Sequence, residues 1–433
     1  MLSLEQCRKK KFLVFGLGVS GHATLSQLKK NKANIECWDD SKQLREKFKN
    51  KYRVNKNWFK SSYDFIVISP GINIYSHLKK LFFYKNKNKI ITDLDLFCSS
   101  IKDQKVIMVT GTNGKSTMCK LIYDLLKNSK KKVYLGGNYG TPVLDLPYKE
   151  KSAIFVLELS SYQLDYSSRL PSSVSILLNI SPDHLERHQN FSKYISAKLK
   201  IFKGLEKTGI GFLDLSSDKQ SKIFNILKSE KYNQKNIELI KKNIHHNIKD
   251  NLISSPLRGL HFKNCLYIAL QIAKLFKISK NVYLKTIKDF KGLPHRQEII
   301  KVKNNITFIN DSKATNFSST EVALNSYKNI HWILGGLAKA KDRIIVSKFK
   351  KSILRAYIIG KNINFFLKQI KSTVKHNTSH TLKNALLSAL RESKNYPSLK
   401  QVILLSPSAA SFDQYKNFEH RGNTFKQLVK KYS

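Results

Sequence analysis

The chain has no long apolar run. No window of its 433 residues approaches the roughly 18 to 20 uncharged apolar positions of a membrane-crossing helix, so insertion into a membrane is not expected. It also has few cysteines. Cys7, Cys37, Cys98, Cys119 and Cys265 are scattered, without a CxxC pair or an even framework, which fits a reducing cytoplasm. The amino-terminal stretch MLSLEQCRKKKFLVFGLG passes from basic residues straight into a strand-like run and lacks a small-residue cleavage site, so it does not read as a signal peptide. No internal repeat or heptad pattern occurs. Acidic residues are scarce: 30 Asp and Glu stand against 78 Lys and Arg, a net charge of +48 that would ordinarily suggest nucleic acid or an anionic membrane surface. The lysines, however, are spread among asparagines and isoleucines through the whole chain. Runs such as Ser129, Lys130, Lys131 and Lys132 read as solvated faces, and no specific nucleic-acid partner is expected. Anionic substrates would still be attracted.

What is present is a globular composition, 41% hydrophobic, with length for about two to four domains. The strongest local signal is VIMVTGTNGKST, residues 106–117. Val106 to Val109 read as a short buried strand, and Gly111 and Gly114 let backbone N–H groups turn toward an anion without obstruction by Cβ. Lys115 supplies charge for β and γ phosphates, and Ser116 or Thr117 offers a hydroxyl to Mg²⁺, although the spacing is shorter than GxxxxGK[ST].

Before that loop, a strand at Phe12 to Phe15 runs into GLGVSG, with Gly16, Gly18 and Gly21. A second strand, Ile35 to Trp38, ends in Asp39 and Asp40, where a dinucleotide fold places its ribose-binding acid. Alone this invites a dehydrogenase reading, but a lone GxGxxG is a weak signal and leaves the second nucleotide loop unused. A strand at Asp64 to Ser69 is followed by Pro70 and Gly71, and the first α/β unit closes near residue 97. The segment 98–293 alternates strands and helices, with candidate strands Val133 to Leu135, Ile154 to Glu158, Ser175 to Leu178 and Gly211 to Asp214. This is the pattern of a mostly parallel sheet. Polar groups gather at strand ends: Asn138 in GGNYGTP, Glu158 in LELSSYQL, Asp183 and His184 in NISPDHLERH. Residues 216–256 are rich in lysine and asparagine and show little pattern. From about 294 a further α/β unit has strands at Ile306 to Asn310, Ile333 to Leu334, Tyr357 to Ile359 and Val402 to Leu405, followed by NDSKATN, GGLAKAKD and SPSAASFDQYKNFEHRG.

Taken in order, GTNGKST, LELSSYQL, NISPDHLERH, GLPHR, NDSKATN and SFDQYKNFEHRG resemble the Mur ligase family, the last two being similar to its D-glutamate-adding members. The resemblance spans nearly the whole chain. It implies an α/β protein of three domains: a Rossmann-like UDP-binding domain at 1–97, a P-loop ATPase domain with a mostly parallel sheet at 98–293, and a Rossmann-like D-glutamate-binding domain at 294–433. It implies UDP-N-acetylmuramoyl-L-alanine and D-glutamate as substrates, ATP with two Mg²⁺ sites, and a monomer. Gly18, Val19, Ser20, Asp39, Asp40, Ser69, Pro70, Gly71, Asn138 and Ser160 then resemble contacts of the nucleotide sugar. Gly111, Thr112, Asn113, Gly114, Lys115, Ser116 and Thr117 resemble ATP contacts, joined by Asn264, His295, Arg296, Asp311 and Lys313. Ser116 and Glu158 resemble one Mg²⁺ site, and His184 with Lys198 the other, Lys198 standing where the family carries a carbamylated lysine. Lys115, Glu158, His184 and Lys198 are the implied catalytic set, and Thr315, Lys339, Ser411 and Phe418 match positions that hold D-glutamate.

The chain also departs from the family pattern. HNxxN appears as His261-Phe262-Lys263-Asn264-Cys265, an N-x-D-D stretch near 214 is reduced to LDLSSD, Leu337 and Ala338 replace Asp and Gly, and Ser408 replaces alanine. Three other classes remain open on sequence: a folylpolyglutamate-type ligase, which shares the ATPase core but not the last two motifs; a nucleotide-cofactor oxidoreductase; and a basic nucleic-acid-binding ATPase.

Overall fold

The computed structural model describes residues 2–168, 170–215, 220–229, 234–240, 257, 263–339 and 342–433. The chain divides into two compact units, one of residues 1–247 with 263–286, the other of 248–262 with 287–433. The first unit carries two parallel sheets. Strands β1 (Lys11–Phe15), β2 (Asn34–Trp38), β3 (Arg53–Val54), β4 (Phe65–Ile68) and β5 (Ile90–Ile91) lie in the order β3-β2-β1-β4-β5. Strands β6 (Lys105–Thr110), β7 (Val133–Gly137), β8 (Ile154–Glu158), β9 (Ser172–Leu177), β10 (Leu205–Asp214) and β11 (Ile237–Ile240) lie in the order β11-β10-β9-β6-β8-β7. In each, the chain leaves a central strand toward one edge and later returns to build the other side. That reversal opens a crevice at the carboxyl ends of β1 and β4, and another at those of β6, β8 and β9, where α/β sheets take ligands.

Apolar sequence explains the central strands. Val106, Ile107, Met108 and Val109 are all buried, as a strand covered on both faces requires. The following helix, Lys115–Asn128, buries Met118, Leu121, Ile122, Leu125 and Leu126, the i, i+3, i+4 spacing of one helical face. Phe97 of the helix Asp93–Ser100 meets Phe155 of β8 edge to face at 5.1 Å, and one apolar core runs beneath both sheets.

The second unit holds β12 (Glu298–Lys303), β13 (Ile306–Asn310), β14 (Ile330–Gly335), β15 (Ile353–Ile359), β16 (His376–His380) and β17 (Gln401–Leu405), ordered β12-β13-β17-β14-β15-β16. Only the β12–β13 pair among these is antiparallel. Trp332 and Phe317 pack on one face of the sheet, Tyr357 and Phe425 on the other. The observed strands extend several sequence-read ones. β9 begins at Ser172 rather than Ser175, because the serines satisfy one another inside the sheet: Ser172 Oγ lies 2.8 Å from Ser175 Oγ, which donates to Ile201 O at 2.8 Å.

Candidate functional site

The loop after β6 is held from outside. Gly114 caps the helix Lys115–Asn128 at φ +81°, a left-handed conformation glycine adopts without strain. Asn179, in the segment after β9, accepts from Asn113 N–H at 2.8 Å and donates to Asn113 O at 3.0 Å. Its carbonyl accepts from Thr112 N–H at 2.9 Å. Lys115 Nζ donates to Gly111 O at 3.0 Å and Thr112 O at 2.9 Å, folding the ammonium back over the loop.

Lys198, on the helix Phe191–Leu199, is 2% exposed and donates from Nζ to the same Gly111 O at 2.8 Å. Burial first, and the Lys115 ammonium second, hold its pKa well below the usual lysine value. Two lysine nitrogens on one carbonyl, that of Lys115 charged and that of Lys198 pushed toward the neutral amine, make a spot that an anion would suit. Beside it, Ser116 Oγ donates to Glu158 Oε2 at 2.5 Å, and Asn138 Nδ2 donates to Glu158 Oε1 at 2.7 Å. Ser116 and Glu158 are buried. A hydroxyl and a carboxylate oxygen in reach of one another suit the hard, oxygen-seeking Mg²⁺. His184 adopts φ +54°, and its Nδ1 lies 2.9 Å from Tyr162 OH and 3.6 Å from Glu186 Oε1. His184 Nε2 lies 3.5 Å from Asp183 Oδ2, and no cluster of three or more His, Cys, Asp or Glu fit to hold a metal occurs among the described residues. Ser160 caps the helix Ser161–Tyr166, its Oγ accepting from Gln163 N–H at 3.2 Å. Asn264 donates from Nδ2 to Asp214 Oδ2 at 2.8 Å. His261, Phe262 and residues 216–219 lie outside the described residues.

At the first sheet, Gly21 packs so closely that a Cβ would fall 1.9 Å from Gly16 O. Ser69 Oγ donates to that same carbonyl at 2.8 Å, tying the turn after β4 to the turn after β1. Asp39 braces the turn, its Oδ2 accepting from Leu17 N–H at 2.7 Å and its Oδ1 from Ser41 N–H at 2.8 Å. Asp40 faces outward with His77 Nε2 at 3.1 Å from Oδ2. Asp93 is buried, and desolvation pushes its pKa up to about 6 against the lowering influence of the Ser20 hydroxyl. Gly18 precedes the helix Val19–Lys30, Val19 is exposed, and Gly71 stands in open space.

In the second unit NDSKATN, GGLAKAKD and SPSAAS follow β13, β14 and β17, all at one end of the sheet. Leu337 and Ala410 exchange backbone hydrogen bonds at 2.9 and 3.0 Å, a role independent of the side chain at 337. The Ser408 hydroxyl is buried and donates to Thr320 Oγ1 at 2.8 Å. Arg421 is the tie among these loops: Nε donates to Ser312 Oγ at 3.0 Å, and Nη2 to Ser312 O at 2.8 Å and Ala409 O at 3.0 Å. Burial lowers its pKa to about 10. His295 carries φ +62° and sits against Gly422, with Nδ1 2.9 Å from Asn310 Nδ2. Lys313 Nζ stands 3.8 Å from the Phe418 ring centroid. Asp311 is buried, and desolvation pushes its pKa up to about 7 although Ser406 Oγ donates to Oδ2 at 2.8 Å. Arg296 lies in the same turn as His295, and Ser411 is buried beside the Leu337–Ala410 bridge. Thr315 follows Asp311 on the loop after β13, and Lys339 follows Leu337 on that after β14.

Thus one unit gathers Lys115, Ser116, Asn138, Glu158 and Lys198, and separately Ser20, Asp39 and Ser69. The other gathers His295, Asp311, Lys313 and Phe418. Sequence reading assigned no role to Asn179, Tyr162, Arg187 or Arg421, although each lies inside a quoted motif; their partners are distant in sequence.

Comparison with known proteins gives these motifs a family. Residues 109–273 match the Mur ligase middle domain. The chain is 34% identical over 98% of its length to the UDP-N-acetylmuramoylalanine–D-glutamate ligase of Rickettsia prowazekii, of which it covers 99%. With the protein of that name from Rickettsia felis the identity is 35%, over 98% of each chain. Among solved structures, a MurF ligase of Thermotoga maritima in complex with ADP shares the fold, with a TM-score of 0.60 at 15% identity over 100% of this chain and 98% of that one.

Proposed function

This chain belongs to the Mur ligase family, and from that premise we propose that it joins D-glutamate to UDP-N-acetylmuramoyl-L-alanine with cleavage of ATP to ADP and phosphate, in cytoplasmic synthesis of peptidoglycan precursors. The observation that carries this reading is the likeness, over nearly the whole of both chains, to ligases of that name. The alanyl carboxylate attacks the γ-phosphorus and ADP leaves. The amine of D-glutamate then attacks the acyl phosphate, losing a proton as phosphate departs. No protein nucleophile is needed.

Carboxylate and triphosphate repel, so the chain must supply positive charge where they meet. Lys115 meets the γ-phosphate, and the N–H groups at the start of the helix, residues 114–117, cradle the others, those of Thr112 and Asn113 being taken by Asn179. Ser116 and Glu158 would hold one Mg²⁺, whose Lewis acidity supplies further charge neutralisation. A buried lysine with a depressed pKa has the neutral amine that takes up CO₂, which supports a carbamate at Lys198; with His184 that anion would hold the second ion. Gly18, Val19, Ser20, Asp40, Ser69, Pro70, Gly71, Asn138 and Ser160 receive the nucleotide sugar, with Asp39 bracing the turn. Asn264, His295, Arg296, Asp311 and Lys313 serve the nucleotide, and Thr315, Lys339, Ser411 and Phe418 the incoming amino acid. The amino-acid pocket is supported by the joining of its three loops through Arg421 and the Leu337–Ala410 pair. Domains at 1–97, 98–293 and 294–433 are supported by the three sheets, β1–β5, β6–β11 and β12–β17 falling one to each. The chain acts as a monomer.

The test is phosphate release by purified protein with ATP, Mg²⁺ and UDP-N-acetylmuramoyl-L-alanine. Release with D-glutamate and much less with L-glutamate is expected, because a mismatched enantiomer leaves buried polar groups unpaired at about 1 to 3 kcal/mol each. Equal release with both enantiomers, or with a folate replacing the nucleotide sugar, would reject this substrate pair.

A further inference from the structure

Arg187 stands three residues after His184, in the short helix Leu185–His188, and its side chain is 6% exposed. A buried guanidinium needs compensation. Asp165 Oδ2 lies 3.9 Å from Nη2, too far for a hydrogen bond, and Nε and Nη2 have no hydrogen-bond acceptor among the described residues. The cation is held instead by ring faces: its Cζ is 4.8 Å from the Tyr166 centroid, 5.4 Å from that of Tyr75 and 5.5 Å from that of Tyr162.

The cage joins two sheets. Nη1 donates to Asn73 Oδ1 at 2.5 Å, and Asn73 lies just beyond Ser69, Pro70 and Gly71 in the segment after β4. Tyr166 fixes the same segment through its backbone, donating to Ile72 O at 2.7 Å and accepting from Ile74 N–H at 3.1 Å. The Tyr75 ring packs on the Tyr166 ring at 5.8 Å. On the other side, Tyr162 faces the guanidinium while its hydroxyl lies 2.9 Å from His184 Nδ1. One buried cation therefore links the loop that follows β4 to the segment carrying His184.

We propose that Arg187 is a positioning residue, a cation caged by Tyr75, Tyr162 and Tyr166 that locks the nucleotide-sugar loop 69–75 to the His184 segment and so sets where the substrate's carboxylate meets the γ-phosphate. The kinetic consequence rests on the proposed ligase activity; the lock itself does not. Lysine would keep the charge but lose the planar stack and the fork of donors, and methionine would keep bulk and lose both.

The experiment compares Arg187→Met, Arg187→Lys and Tyr166→Phe with the wild type. Hydrogen exchange at the Ile74 amide is expected to quicken about tenfold in Arg187→Met and Tyr166→Phe, the size set by loss of one well-made buried hydrogen bond. The KM for UDP-N-acetylmuramoyl-L-alanine should rise about tenfold in Arg187→Met while that for ATP stays within about twofold, and Arg187→Lys should recover part of the loss. Unchanged exchange at Ile74, or equal rises in both KM values, overturns the lock. Should Arg187→Met not fold, Arg187→Lys decides: it keeps the charge and loses the planar stack, so Ile74 exchange and a nucleotide-sugar KM both unchanged from the wild type would overturn the lock. A wild type that ligates neither enantiomer of glutamate rejects the proposed function, and the Ile74 exchange rate then still tests the lock.

Discussion

Lys198 is the residue whose chemistry is least like its composition. Among 78 Lys and Arg side chains it is one held at 2% exposure, with the Lys115 ammonium sharing its carbonyl acceptor. Burial favours the neutral amine, and a neutral amine can become an anionic carbamate. Lys198→Ala should therefore be nearly inactive, and formate or acetate should restore part of its turnover by filling the vacated space with a carboxylate. Rescue by ammonium or by neither would count against the carbamate. Asp311 makes a second case, this time for pH. Its folded pKa of about 7 exceeds the usual carboxylate value, so between about pH 4 and pH 7 the folded chain holds a proton that the unfolded chain has released. The stability that proton contributes is full below about pH 4 and is lost as pH rises through about 7. Asp311→Asn should flatten this fall and leave the variant more stable at pH 8 by on the order of 1 kcal/mol, at a loss of nucleotide affinity. Thermal unfolding of both proteins at pH 5 and pH 8 checks it; an equal drop in both would show that Asp311 ionises without penalty.

Loops are the elements that had to be read through their ties. Arg421, buried on the helix Phe418–Tyr432, reaches Ser312 after β13 and Ala409 after β17. Arg421→Met would fill the space yet leave carbonyls at Ser312 and Ala409 unmet, at about 1 to 3 kcal/mol each. The KM for D-glutamate should rise at least about tenfold, with that for the nucleotide sugar little changed; steady-state kinetics varying each substrate in turn would expose an error if the two moved together. Such ties also mark where sequence legibility ended. β8 and β13 could be read to the residue, because Ile154–Glu158 and Ile306–Asn310 are runs of apolar and β-branched residues that suit a buried strand. β3 and β5 are two residues each, too short to show a period, and β16, HNTSH, has no apolar residue at all. β10 was legible only in its last four residues, since LEKTGI begins it with charges and a glycine. In the site, glycines, Lys115 and Glu158 announce themselves by motif. Asn179 does not, because its worth lies in two hydrogen bonds to Asn113, far away in sequence.

At the scale of the whole molecule the excess of cations must be reconciled with a small-molecule reaction. A charge of +48 over one chain creates a field that draws any polyanion, whether a nucleotide sugar, ATP or DNA. What separates substrate from bystander is depth. Lys198 is buried, and the Ser116–Glu158 pair with it, so their interactions lie partly out of reach of salt, whereas exposed lysines such as Lys87 and Lys400 are screened within about 8 Å at physiological ionic strength. Binding to DNA should therefore be diffuse, indifferent to sequence and steeply salt-dependent, falling by about a thousandfold or more between 50 and 200 mM salt if several phosphates are neutralised at once. The KM values for ATP and the nucleotide sugar should rise only a few-fold over that range, because charge-assisted hydrogen bonds in the loop persist after the long-range attraction is screened. Retention on a DNA column and ligation rates, followed through one salt series, compare the two directly. DNA binding that survives 200 mM salt with a sequence preference would mean that the surface lysines form a site of their own, and the reading of them as solvated faces would fall.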